Sequence, residues 1–250
     1  MFKQIKNLIA FLTIIPVGMD QECLTDAANY MFLFPLVGAF IGLLAGLFAW
    51  ILLSILDTLI VGVLTLGFIL LITGLHHADG LLDFGDGLMY RGSPDEKIEI
   101  MHDQQTGVGG FGLGLVTFLT TAFCIAKLNR NFVIQSLVVC EASAKLAMIL
   151  IAWLGESAHE GMNTYFVNAM HDRHRNIRLI AALSITFGVA LPLMGMVGFI
   201  AVIASIAMAL IVVEVSNRHF RGVTGDVFGA GNELARLSSL LAIVEAVRWA

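Results

Sequence analysis

Between Met31 and Leu56 the chain carries no charged side chain, and from Thr58 it carries none again until Asp79. Runs of this length have few places to go. A helix of about 20 apolar residues covers the roughly 30 Å hydrocarbon layer of a bilayer, where only helices or closed barrels satisfy their own backbone. Similar runs recur, and six spans can be marked: Met31 to Leu56, Thr58 to Leu75, Gly110 to Lys127, Phe132 to Leu154, Ile177 to Met194 and Gly198 to Val213. Only 13% of the 250 residues are charged, against about 25% in a soluble domain. The expected fold is an all-α, polytopic membrane bundle of about six transmembrane helices. One integral domain over 1–250 fits better than soluble modules on an anchor.

The ends of the chain read differently. MFKQIKNLIAFLTIIPVGM has two lysines and a short apolar stretch but no A-x-A-like cleavage site, which predicts a retained interfacial or re-entrant helix. Leu234 to Ala250 reads as an amphipathic helix on the membrane surface. Gly38, Gly42 and Gly46 recur every four residues, a spacing for close helix packing that also allows a homo-oligomer. Cys23, Cys124 and Cys140 are odd in number without a C-x-x-C spacing, so neither a disulfide framework nor a zinc site is expected.

If the six spans alternate, one side receives Lys3, Lys6, Arg91, Lys97, Arg173, Arg175, Arg178, Arg218, Arg221, Arg236 and Arg248, and the other only Lys127 and Arg130. Excess Lys and Arg mark the cytoplasmic side. Every long polar connection falls there too, so a working site in the cell membrane should face the cytoplasm. The basic residues form no long run of the kind that binds nucleic acid.

That side holds the most unusual stretch, HHADGLLDFGDG from His76. Asp79, Asp83 and Asp86 are spaced i, i+4, i+7, which puts them on one face of a helix. Three like charges beside a membrane need a cationic partner, and only Arg91 and Lys97 lie in the same connection. Carboxylates without a Cys or paired-His frame favour a hard cation, Mg²⁺ or Mn²⁺, which usually keeps positions open for phosphate oxygens. The residues alone thus point to metal-assisted phosphate chemistry, with a solvated helix rim as the plain alternative.

The stretch T-G-L-H-H-A-D-G-L-L-D-F-G-D-G from Thr73 resembles the signature of the cobalamin synthase family, the adenosylcobinamide-GDP ribazoletransferases. It is similar, more loosely, to the aspartate pattern of CDP-alcohol phosphotransferases. F-L-T-I-I-P-V from Phe11, F-P-L-V-G-A-F-I-G from Phe34, K-I-E-I-M-H-D-Q-Q-T-G-V-G-G-F-G from Lys97 and G-V-T-G-D-V-F-G-A-G-N-E from Gly222 resemble the same synthase family, in order along the chain. The resemblance implies transfer of the adenosylcobinamide phosphate group from adenosylcobinamide-GDP to α-ribazole or its 5′-phosphate, with release of GMP.

On that reading Asp79, Asp83 and Asp86 hold one or two Mg²⁺ ions, and one of them or His77 acts as the base. Arg91 and Lys97 are candidates for phosphate contact, and Asp103 and Asp226 for substrate binding, with Asn232 and Glu233 as capping or nucleotide-contacting residues. T-G-V-G-G-F-G after Asp103 either approaches phosphate or breaks the chain before the next span. Glu141 and Lys145 are spaced to pair within a span. The connection 155–176, with His159, His171 and His174, reads as a solvated loop. The rivals are a CDP-alcohol phosphotransferase, which would use a cytidine-linked donor, and a divalent cation transporter, which would need acids deep in facing spans.

Overall fold

The computed structural model describes residues 2–18 and 21–249. Among them the regular structure is helical, with no strand beyond an isolated bridge between Ser157 and Val223. Five helices are long and apolar enough to cross a membrane, six if a sharply bent pair counts as one.

The first two helices are short. α1 (Phe2–Leu12) and α2 (Cys23–Asn29) pack together through Asn7, which donates to Asp26 at 2.8 Å, and Lys3, which pairs with Glu22 at 2.8 Å. Eleven residues rise only about 16 Å. They cover one end of the bundle, as an interfacial or re-entrant segment would, and Ile14 N–H donates to the Ile72 carbonyl.

α3 (Phe34–Leu52) crosses against α8 (Val133–Leu154). The glycine stripe is what lets them meet. A Cβ on Gly38, Gly42 or Gly46 would stand 2.4 Å from the Glu141 carbonyl, 2.2 Å from that of Leu137 and 2.7 Å from the Ile134 Cα. The stripe therefore serves packing inside the chain. α8 is the centre of the bundle, buried at every position from Ser136 to Ala152.

α4 (Thr58–Ile72) returns to the first end and meets α5 (His76–Met89) at 97°. α6 (Pro94–Met101) is short and opens with a capping box between Ser93 and Glu96. α7 (Val108–Ala126) crosses again, and after α8 the short α9 (Met162–Met170) lies within the connection expected to be a plain solvated loop. α10 (Arg175–Phe220) contains both the fifth and the sixth span. It breaks at Gly195, where φ is +54°, and folds back: a Cβ on Gly198 would lie 2.3 Å from the Ala190 carbonyl, and the Phe187 and Phe199 rings are 5.6 Å apart.

The last helix, α11 (Gly225–Trp249), corrects the surface reading of Leu234 to Ala250. It runs through the bundle against α8 and α10, starting beside α5 and reaching far enough for Glu245 to act electrostatically on Cys124 at the opposite end. Asn232, Glu233, Arg236, Ser239 and Leu240 are buried. Its polar stripe faces inward, where Arg236 binds both Glu141 and Glu233 and Lys145 donates to Asn232 at 2.6 Å. The expected Glu141–Lys145 pair exists at 3.9 Å, as part of a group of two acids and two bases that is neutral as a whole. Polar residues paired inside a bundle give the same helical periodicity as polar residues facing water.

Arg236 and Arg248 consequently leave the basic set assigned to the first end. Nine basic residues remain at the α5 end, from Lys3 to Arg221, against Lys127, Arg130 and Arg248 at the other.

Candidate functional site

The T-G-L of the motif makes the corner from which α5 departs. Gly74 and Leu75 both have positive φ, +67° and +62°, and the Thr73 hydroxyl donates back to the Ile69 carbonyl at 2.9 Å. A leucine in the left-handed region is strained. The corner turns α5 across the end of the bundle, outside the spanning helices, over the N-termini of α7 and α11.

Glycines set how closely α5 approaches both. A Cβ on Gly80 would lie 2.9 Å from the Asp226 Cα, and on Gly85 2.9 Å from the Gly110 Cα. From the other side, a Cβ on Gly110 would meet the Leu82 carbonyl at 2.4 Å. The glycine-rich segment after Asp103 thus serves α5–α7 packing. Asp86 locks the same contact, accepting the Gly107 N–H at 2.7 Å and the Gly110 N–H at 2.8 Å, one on each oxygen. It caps α7, where the helix dipole favours a carboxylate.

Asp79, Asp83 and Asp86 are helical as their spacing predicts, and they serve different surroundings. Asp79 lines a cavity of about 580 Å³ with His76, His77 and Asp226. About 10 Å along the helix, Asp86 lines an open cavity of about 370 Å³ with Asp103, Tyr90 and Gln105. Asp83 lies between. Burial, then the carboxylates of Asp226, Asp79 and Asp86, push its pKa up to about 7. Burial and the Lys145 and Arg236 charges hold the His77 imidazole well below its ordinary range, and its Nδ1 is buried with no hydrogen-bond partner.

The large cavity has two characters. Its polar end is the group just named, and its remaining wall is mostly apolar, including Phe11, Met31, Phe34, Met148, Phe166 and Phe228. α9 supplies Phe166, Met162 and Asn163, so the connection 155–176 contributes to the site through its apolar residues. Two of its histidines bond backbone, His171 the Trp153 carbonyl and His159 the Glu160 carbonyl.

Of the candidate site residues, the fold gathers His77, Asp79, Asp83 and Asp226, and places Asp86 and Asp103 on the neighbouring flank. It does not bring Arg91 or Lys97 to either cavity. Arg91 is exposed between α5 and α6, and Lys97 is buried with its Nζ 2.7 Å from His219 Nδ1. His102, which sequence reasoning did not single out, sits near enough to Asp226 to act on its charge and 5.1 Å from the His159 ring. Phe11 and Phe228 lie in segments that carry the family resemblance, but spacing alone gives them no role.

The family described as cobalamin-5-phosphate synthase matches residues 4–244. The chain belongs to this family. It is 36% identical to the adenosylcobinamide-GDP ribazoletransferase of Methanocella arvoryzae, over 98% of this chain and 96% of the relative. It is 33% identical to that of Methanococcoides burtonii, over 97% and 92%, and 30% identical to that of Thermococcus kodakarensis, over 98% of each. No solved structure matches. The synthase-family match runs from α1 into α11, well beyond the aspartate helix that a CDP-alcohol pattern shares.

Proposed function

We propose that this chain is a membrane transferase that moves the adenosylcobinamide phosphate group from adenosylcobinamide-GDP to a ribose hydroxyl of α-ribazole or its 5′-phosphate. GMP leaves, and adenosylcobalamin or its 5′-phosphate forms. The observation that carries this reading is the full-length family match combined with the convergence of its most distinctive motif, on α5, with Asp226 at the mouth of one cavity.

In the transfer, the bond from the donor phosphorus to the GMP oxygen breaks, the acceptor oxygen bonds to that phosphorus, and the hydroxyl proton passes to a base. A motif aspartate that the cation leaves free, or His77, suits that role. His77 lines the large cavity, and burial and the neighbouring cations hold it neutral. The rest of the catalytic demand is alignment of a hydroxyl with a phosphorus, which a fixed α5–α11 contact supplies.

Mg²⁺, or Mn²⁺ in its place, is part of the proposal. Among the described residues no three His, Cys, Asp or Glu side chains converge as a ready-made metal cage. The donor set fits the other mode, in which one or two carboxylates bind the ion and substrate phosphates complete it. Asp79 and Asp83 would hold it, with Asp86 sharing lone pairs left over from capping α7. Bound there, the ion supplies neutralisation of the phosphate charge.

We also read the chain as one integral domain of the cell membrane with the α5 end toward the cytoplasm, supported by the nine-to-three split of basic residues between the ends.

The test is product formation by purified protein in lipid, given adenosylcobinamide-GDP, Mg²⁺ and either acceptor. GMP release with a matching corrinoid product, lost in Asp83→Asn at unchanged helicity, is the expected result. No turnover by folded wild type with either acceptor would overturn the reading.

A further inference from the structure

The large cavity has more aromatic wall than a phosphate site needs. Phe166 is the hub, with ring centroids 5.3 Å from Phe11, 6.1 Å from Phe34 and 6.1 Å from Phe228. About 580 Å³ is room for one small molecule. The polar side chains that share the wall narrow the ligand further. Thr73 donates to the Ile69 carbonyl, and the Asn163 amide to Ser157 and the Val223 carbonyl. Neither amide nor hydroxyl proton is left for a ligand rich in hydrogen-bonding edges. His77 is the exception: its ring is buried, lines the cavity and has an unpartnered Nδ1.

We propose that this cavity is the acceptor subsite. It takes the flat, apolar base of the acceptor nucleoside among Phe11, Phe34, Phe166 and Phe228, and holds the ribose at the end formed by His77, Asp79 and Asp226. This rests on the transferase reading above. The guanine of the donor does not suit these walls, since its amide and amino edges would be desolvated without partners. The corrin ring, broad and rimmed with amides, does not suit a mostly apolar cavity of about 580 Å³ either. That leaves the donor to approach from further along the aspartate face of α5, where Asp86 lines the second, open cavity, with its pyrophosphate passing Asp83. Acceptor oxygen and leaving GMP oxygen then lie on opposite sides of the phosphorus beside Asp83, along one face of α5, as an in-line displacement requires.

The experiment uses the full chain in lipid nanodiscs. Binding of α-ribazole without donor is measured by calorimetry, and KM is measured for each substrate in turn, for wild type, Phe166→Ala, the milder Phe166→Leu, and Phe187→Ala as a control on the distant α10 turn. Expected are a tenfold or greater loss in Kd and KM for α-ribazole in Phe166→Ala, a smaller loss in Phe166→Leu, and a donor KM within twofold of wild type. Phe187→Ala should change neither. Equal weakening of both substrates, weakening of the donor alone, or a cavity filled by a co-purified lipid that α-ribazole does not displace would overturn the subsite. If Phe166→Ala fails to fold, Phe166→Leu decides by the same split between substrates. Phe166-dependent binding without GMP release would sink the transferase reading and keep the nucleoside site. Turnover indifferent to Phe166 would do the reverse.

Discussion

Gly80 and Asp226 touch: a side chain on Gly80 would begin 2.9 Å from both the Cα and the carbonyl oxygen of Asp226. This contact holds the helix of spaced aspartates against the start of α11 and so fixes the fourth carboxylate relative to the other three.

Gly80→Ala should therefore separate the two helices by a few tenths of an ångström while leaving the bundle folded. Because positioning errors well below 1 Å are costly in a displacement, kcat should fall about tenfold or more, and the thermal stability should fall as well, since the new methyl meets backbone rather than a side chain that can move aside. Gly67→Ala on α4, where nothing lies within 4 Å of the new methyl, should leave both unchanged.

Asp83 links pH, cation and stability. Its pKa rises from 3.8 when unfolded to about 7 when folded, so between these values the folded chain holds a proton that the unfolded chain has lost. Stability should fall as pH rises through that window. In chelator, the apparent Tm should be higher at pH 6 than at pH 8. Millimolar Mg²⁺ should raise the pH 8 value, and Asp83→Asn should abolish both effects. A wild-type Tm at pH 8 that ignores Mg²⁺ would count against the cation.

Asp86 should behave differently from Asp79, although the motif presents them alike. Asp86→Ala removes both acceptors at the start of α7 and is expected to cost about 1–2 kcal/mol. Asp79, exposed at the cavity mouth, should tolerate alanine with less than about 0.5 kcal/mol. Chemical denaturation of the two variants in the same detergent makes the comparison.

Arg236→Met leaves Glu141 and Glu233 buried with one cation, Lys145, and should cost about 3–5 kcal/mol. Adding Glu233→Gln restores neutrality and should recover a measurable part of the loss. Yield of monodisperse protein and its unfolding temperature read both variants.

Sequence alone carried the bundle, the six spans and the aspartate helix, because unbroken apolarity and an i, i+4, i+7 spacing are local signals. α11 was not legible, since Asn232, Glu233 and Arg236 give the same periodicity whether they face water or the partners on α8. The glycines after Asp103 left phosphate approach and chain breaking open, and only the contact of Gly110 with Leu82 reveals a packing role. The aromatic cavity was equally hidden. Phe11, Phe34, Phe166 and Phe228 come from four helices far apart in the chain, and nothing local marks them as neighbours.

α11 is the least apolar of the five membrane-crossing helices, and alone it would carry Glu233 and Arg236 into lipid at about 2.5–3.5 kcal/mol for a central charge. The group that offsets this cost sits on α8, made long before it. Biogenesis thus acquires an order: α11 leaves the ribosome after α8 has carried its counter-charges into the bilayer. It enters as a plug into a waiting socket, and the mouth that α11 forms with α5 can close only once it is in place.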